Sequence, residues 1–104
     1  MEDNRIRYTK RVIKETFLEL LEEKPINKIT VTELCLKCEI NRATFYRHYD
    51  DVYDLMNKLE MQFTAELKDA ITVSKDDYTI SGFTEEILEV ILKNKDLSRI
   101  LFSK

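Results

Sequence analysis

Glycine and proline each occur once in this chain, as Gly82 and Pro25, and histidine occurs once, as His48. A single glycine leaves no glycine-rich loop to cradle a phosphate. A single histidine, with no nucleophile and orienting acid beside it, gives no catalytic triad. Cysteine occurs twice, in Cys35-Leu-Lys-Cys38, which is half of what a structural zinc site needs. A redox site of the thioredoxin kind would need a strand–helix–strand context that the chain lacks. The two cysteines therefore read as small apolar residues packing one helix on another. No apolar run approaches the roughly 18 residues that span a membrane, and the polar start MEDNRIRYTK lacks the apolar core of a signal peptide. The expectation is a soluble, cytoplasmic protein with no catalytic residues, no cofactor and no metal.

What the chain does have is helix-forming material. Its 104 residues are 43% hydrophobic and 36% charged, enough for one compact domain or one domain and part of a second. Scarce breakers with abundant Leu, Glu and Lys predict an all-α fold. Ile6, Ile13, Phe17, Leu20 and Leu21 recur at helical spacing and predict a first helix over 5–23, stopped at Lys24-Pro25 because proline pushes the residue before it out of the α region. Thr30-Val-Thr-Glu33 is a capping-box pattern, with Thr30 and Glu33 serving each other's backbone N–H groups. It predicts a short second helix over about 31–38, with Leu34, Cys35 and Cys38 on one side. Glu39-Ile40 forms the turn, and Asn41 caps a third helix to about residue 48.

A long fourth helix follows, with an apolar stripe of Leu55, Met56, Leu59, Phe63, Leu67, Ala70 and Ile71. Asp50, Asp51 and Asp54 sit at its start, where the helix dipole favours negative charge. The stretch SKDDYTISG, Ser74 to Gly82, reads as a loop and a candidate boundary. A fifth helix over about 83–94 carries Phe83, Ile87, Leu88, Ile91 and Leu92, and Asp96 to Phe102 reads as a sixth. Phe83, Ile87, Ile91 and Leu101 are expected to meet a partner, such as a second copy of the chain.

The net charge of −3 speaks against a nucleic-acid binder, but the charge is unevenly placed. Acids and bases balance in residues 1–52, and the deficit falls in 53–104. Arg5, Arg7, Lys10, Arg11 and Lys14 lie in an acid-free stretch, and Asn41 to Tyr49, NRATFYRHY, holds Arg42, Arg47 and His48 without a carboxylate. Local patches rather than net charge set a DNA footprint. The acidic pairs Glu22-Glu23, Asp50-Asp51, Asp76-Asp77 and Glu85-Glu86 are adjacent and diverge on a helix, so they read as solvated ends rather than paired catalytic carboxylates.

Two short helices joined by a tight turn and braced by a longer first helix make a helix-turn-helix, whose second short helix enters the major groove. On a helix over 42–48, Phe45 and Tyr49 share a face with Ile40 and point inward. Arg42, Ala43, Thr44, Tyr46, Arg47 and His48 remain on the other side. Arg42 can fork onto guanine or onto a phosphate, Ala43 permits close approach, and Tyr46 and His48 can donate to phosphate oxygens. A basic, aromatic helix face also occurs in proteins that never touch DNA, so the spacing of the helix pair has to carry the reading.

Residues 29–49, ITVTELCLKCEINRATFYRHY, resemble the helix-turn-helix of the TetR family of bacterial transcriptional repressors, with Thr44 to Tyr49 the most specific part. The resemblance extends back through RVIKETFLELLEEKPINK and forward to about Leu59. It implies operator binding as a homodimer on a palindromic DNA duplex, with repression. By the same resemblance Thr44, Tyr46 and His48 match residues that contact DNA, mostly its backbone. Arg42, Ala43 and Arg47 occupy positions that vary with operator sequence, and Thr30 and Thr32 lie where helix two meets phosphates. The domains implied are 1–50, a three-helix DNA-binding unit, and 51–104, a connecting helix and a partial C-terminal helical region.

Three departures accompany the resemblance. Glu39 stands where the family's turn usually has glycine. Asp51-Val52 replace the usual lysine-containing start of helix four, which removes a phosphate contact. Residues from about 60 to 104 are few for a ligand pocket of the usual few hundred cubic ångströms, so a small-molecule effector is expected only with a complete C-terminal domain. The alternative is a helical protein-interaction module, or a degenerate regulator lacking effector control.

Overall fold

The computed structural model describes residues 3–77 and 80–102, leaving aside the side chains of 73–77, 80, 81 and 83. Among the described residues there are six α-helices and no strand: α1 (Asn4–Glu23), α2 (Val31–Cys38), α3 (Arg42–Tyr46), α4 (Val52–Asp77), α5 (Ile80–Lys93) and α6 (Lys95–Phe102). The fold is all-α. No described helix is long and apolar enough to cross a membrane.

The start of α1 is set by Asp3, whose side chain accepts from the Arg5 N–H at 2.8 Å. Its end is set by Pro25: Lys24 is extended, with φ −159° and ψ 159°, as the steric demand of a following proline requires. One 3-10 turn, Ile26–Lys28, then leads to α2.

By its internal contacts the chain divides into two compact units, Met1–Asn57 and Lys58–Lys104, with the division falling inside α4. In the first unit α1 packs on α2 and α2 on α3. Ile13, Phe17, Leu20, Leu34, Phe45 and Leu55 are essentially sealed from solvent, each contributing about 1.5–3 kcal/mol of burial free energy as an upper bound. Leu18 and Ile29, which lie off the predicted stripes, are also buried, whereas Ile6 is exposed.

In the second unit Leu59, Phe63, Ala70 and Leu97 are buried, together with the polar Asn94 and Ser98. Asn94 stands between α5 and α6 and donates through Nδ2 to Glu66 Oε2 at 2.8 Å and to the Val90 carbonyl at 2.9 Å. Met56 and Leu67 of the expected α4 stripe are only half-buried, and Ile71 is exposed. On α5 and α6, Ile87, Ile91 and Leu101 are half-buried, while Leu88, Leu92 and Phe102 are exposed. The expectation for the Phe83 side chain lies outside the described residues.

Three local expectations are corrected. The predicted loop Ser74–Gly82 is helical at 74–77 and 80–82, and only 78 and 79 lie outside the described residues. Ser, Asp and even Gly cost roughly 1 kcal/mol or less each within a helix, too little to stop two flanking helical segments from extending. The third helix ends at Tyr46 rather than at 48, because the His48 N–H turns to the Phe45 carbonyl at 3.0 Å, a tighter i→i+3 bond. The Glu33 carboxylate pairs with Lys24 Nζ instead of reaching back to Thr30, so one half of the capping box forms and the other half becomes a bridge from the end of α1 to α2.

Candidate nucleic-acid interface

The α2–turn–α3 segment is shaped by three local devices. At its start Thr30, extended at φ −108°, accepts from the Glu33 N–H at 3.0 Å. At the turn Glu39 is left-handed, with φ 58° and ψ 42°. Its N–H bonds the Leu36 carbonyl at 3.3 Å, and the Ile40 N–H bonds the Cys35 carbonyl at 3.1 Å. This pair of bonds is the Schellman closure, normally built on glycine because a Cβ disfavours the left-handed region. At the start of α3 the Asn41 carboxamide oxygen accepts from the Thr44 N–H at 2.8 Å and from the Thr44 hydroxyl at 3.0 Å.

The inner face of α3 is aromatic. Phe45 is fully buried and Tyr49 nearly so. The Phe45 ring lies 5.5 Å from Tyr49 and 5.6 Å from Tyr46, edge-on to the latter, and His48 sits 6.2 Å from Tyr49. Such edge and tilted pairs add about 0.5–1.5 kcal/mol each beyond burial. They fix the roll of a helix of only five residues.

Of the eight residues singled out from the sequence, Thr30, Thr32, Arg42, Ala43, Tyr46 and Arg47 are exposed, whereas Thr44 and His48 are half-buried. Thr44 is held by Asn41, and His48 lies against Tyr49. Tyr46 is 51% exposed despite its ring contact with Phe45. Arg42 does not project alone: its Nη1 donates to Thr32 Oγ1 at 3.2 Å, joining the first turns of α3 and α2. This link spans ten residues and the turn, so no local pattern announces it. The Asn41–Thr44 spacing, by contrast, is the ordinary N-cap interval, and its second bond could have been anticipated from the sequence.

Lysines on the flanks of the segment are paired, Lys24 with Glu33 and Lys37 with Glu23. Among the described residues neither Arg42 nor Arg47 has a carboxylate partner, so the charges at the first residue and the C-cap of α3 are not neutralised by an ion pair. On α1, the Arg11 guanidinium lies 5.6 Å over the exposed Tyr8 ring, a cation–π contact.

After α3 come Asp50, Asp51 and Asp54. Asp51 Oδ1 accepts from the Asp54 N–H at 2.8 Å, and Asp54 Oδ2 accepts from the Asp50 N–H at 2.9 Å. These carboxylates close the start of α4.

Cys35 and Cys38 are buried free thiols, and Cys38 Sγ lies 3.9 Å from the Val12 carbonyl of α1. Burial pushes both pKa values up from 9.0. At Cys35 the neighbouring Cys38 adds to the rise and Arg42 opposes it; at Cys38 a hydrogen bond with Thr16 opposes it and Glu19 adds. Among the described residues no group of three or more His, Cys, Asp or Glu is arranged to hold a metal ion.

Compared with curated proteins, the chain is 30% identical over 93 residues to an uncharacterised HTH-type transcriptional regulator, YxbF, of Bacillus subtilis strain 168. The match covers 86% of this chain and 24% of the relative, so the chain spans about a quarter of the length of the curated relative it matches. No protein-family model matches the chain, and no solved structure matches it.

Proposed function

We propose that this chain is a DNA-binding transcriptional regulator that lays α3 in the major groove. The observation that carries the reading is the two-sidedness of α3. Phe45 anchors its rear completely, while Arg42, Ala43, Tyr46 and Arg47 stand exposed in front without a carboxylate on the helix. DNA is a uniform polyanion with a groove wide enough for one helix, and this surface suits both properties. The similarity to an HTH-type transcriptional regulator supports the same reading.

In finer terms, the protein is a TetR-like repressor acting as a homodimer on a palindromic operator. The first unit carries the DNA contact and the helices after it carry dimerisation. Tyr46 and His48 hold the backbone, joined by Thr44 when its hydroxyl turns from Asn41 to a phosphate oxygen. Ala43 and Arg47 face bases, and Thr30 and Thr32 meet phosphates at the start of α2. Control by a small molecule applies only where the C-terminal helical region that begins at residue 51 is part of a complete domain.

The test is selection of duplexes from a random pool, followed by titration of the selected operator at several salt concentrations. Affinity should fall steeply and linearly in the logarithm of salt, by about one decade per decade of salt for each phosphate contacted. Tyr46→Phe should weaken all sequences alike. Absence of binding to any duplex at low salt would remove the reading.

A second reading, a helical protein-interaction module, is favoured by one observation: Leu88, Leu92 and Phe102 are exposed on α5 and α6 of an acidic chain. A specific protein complex combined with no duplex binding would select it over the first.

A further inference from the structure

We propose that Arg42 and Thr32 together form a clamp for a single DNA phosphate, so that Arg42 sets the position of the protein on the duplex rather than reading a base. The inference rests on the DNA-binding reading above. It departs from what the position of Arg42 suggests, since an exposed arginine on the first turn of a groove-entering helix ordinarily reaches guanine.

The geometry of the pair supports the backbone role. Arg42 Nη1 donates to Thr32 Oγ1 at 3.2 Å, and both side chains are exposed. The bond ties the guanidinium to the first turn of α2. In a helix-turn-helix the first of the two helices crosses the sugar–phosphate backbone while the second enters the groove. A side chain tied to the first helix is therefore held towards phosphate.

The chemistry agrees. Thr32 accepts from Arg42 through a lone pair and keeps its own hydroxyl proton to donate. Arg42 uses one of five N–H donors on Thr32 and keeps four. A phosphate oxygen is an acceptor only and takes both kinds of donor at once, in charge-assisted bonds. A guanine edge demands two N–H groups aimed in one plane at O6 and N7, whereas a phosphate takes donors over a wide range of directions and asks for no such alignment while Nη1 stays on Thr32. Base reading then falls to Ala43 and Arg47.

The experiment uses the full chain, the selected operator and a set of its single-base variants. Three proteins are compared with wild type: Arg42→Ala, Thr32→Val and the double variant. Both positions are exposed, and circular dichroism checks that the helices are retained. Arg42→Ala should lower affinity about tenfold on every duplex and reduce the salt slope by about 1. Thr32→Val should weaken every duplex by a smaller common factor. In the double variant the two losses should not multiply, because both act on one phosphate. A change of preferred base at any operator position in Arg42→Ala overturns the clamp and leaves the DNA-binding reading standing, as do losses that multiply fully. A wild-type chain that binds no duplex at low salt overturns both.

Discussion

The Asn41 carboxamide oxygen holds two hydrogens of one residue, the Thr44 N–H at 2.8 Å and the Thr44 hydroxyl at 3.0 Å. One side chain therefore starts α3 and also fixes the direction of a hydroxyl on its half-buried side. Asn41→Ala should cost about 1 kcal/mol in urea unfolding, within the usual range for losing an N-cap. Asn41→Asp should retain most of the stability. Unchanged stability in Asn41→Ala would mean that α3 is fixed by its aromatic rear alone.

Glu39 occupies the left-handed region at φ 58° without being glycine, asparagine or aspartate. A Cβ in that conformation costs roughly 1–2 kcal/mol, and glycine gives back part of the gain through its freer unfolded chain. Glu39→Gly should therefore stabilise the first unit by up to about 1 kcal/mol, visible as a raised urea midpoint at constant slope. Glu39→Val, β-branched at a positive φ, should destabilise by more than that. Loss of stability in Glu39→Gly would show that the glutamate side chain does something the turn needs.

The two thiols give an alkaline prediction. Their folded pKa values lie above the ordinary 9.0, so above the unfolded pKa the unfolded chain releases protons that the folded chain retains. Stability is then full below about pH 8.5–9 and declines as pH rises towards the folded values. The variant carrying Cys35→Ala and Cys38→Ala should show a flatter decline in melting temperature between pH 8 and 10. Protonated, buried thiols are also poor nucleophiles, so a disulfide reagent at pH 7 should label the native chain far more slowly than the urea-unfolded one. Rapid labelling of native protein would contradict the burial.

Much of the first unit was legible because its signals are local. Thr30 and Asn41 are caps, and each begins its helix at the residue expected, Val31 and Arg42. Pro25 likewise ended α1 where its sterics required. The misses have longer reach. Whether Glu33 turns back to Thr30 or across to Lys24 depends on where α1 ends relative to α2. The Arg42–Thr32 bond depends on the turn angle set by Glu39. Leu18 and Ile29 are buried off the predicted stripes, by neighbours no periodicity counts. Ser74 to Gly82 misled for a different reason: the composition of a loop is only a weak propensity, and the helical segments on either side overrode it.

The start of α4 has a consequence for anything that docks beside α3. Asp51 already holds the Asp54 amide in its first turn, and Asp54 holds the Asp50 amide just before it. That helix needs no counter-ion to begin, and the residues following Tyr49 reach a partner pre-ordered. On association, the long exposed side chains of Arg42 and Arg47 are then the groups with the most rotamer freedom to lose.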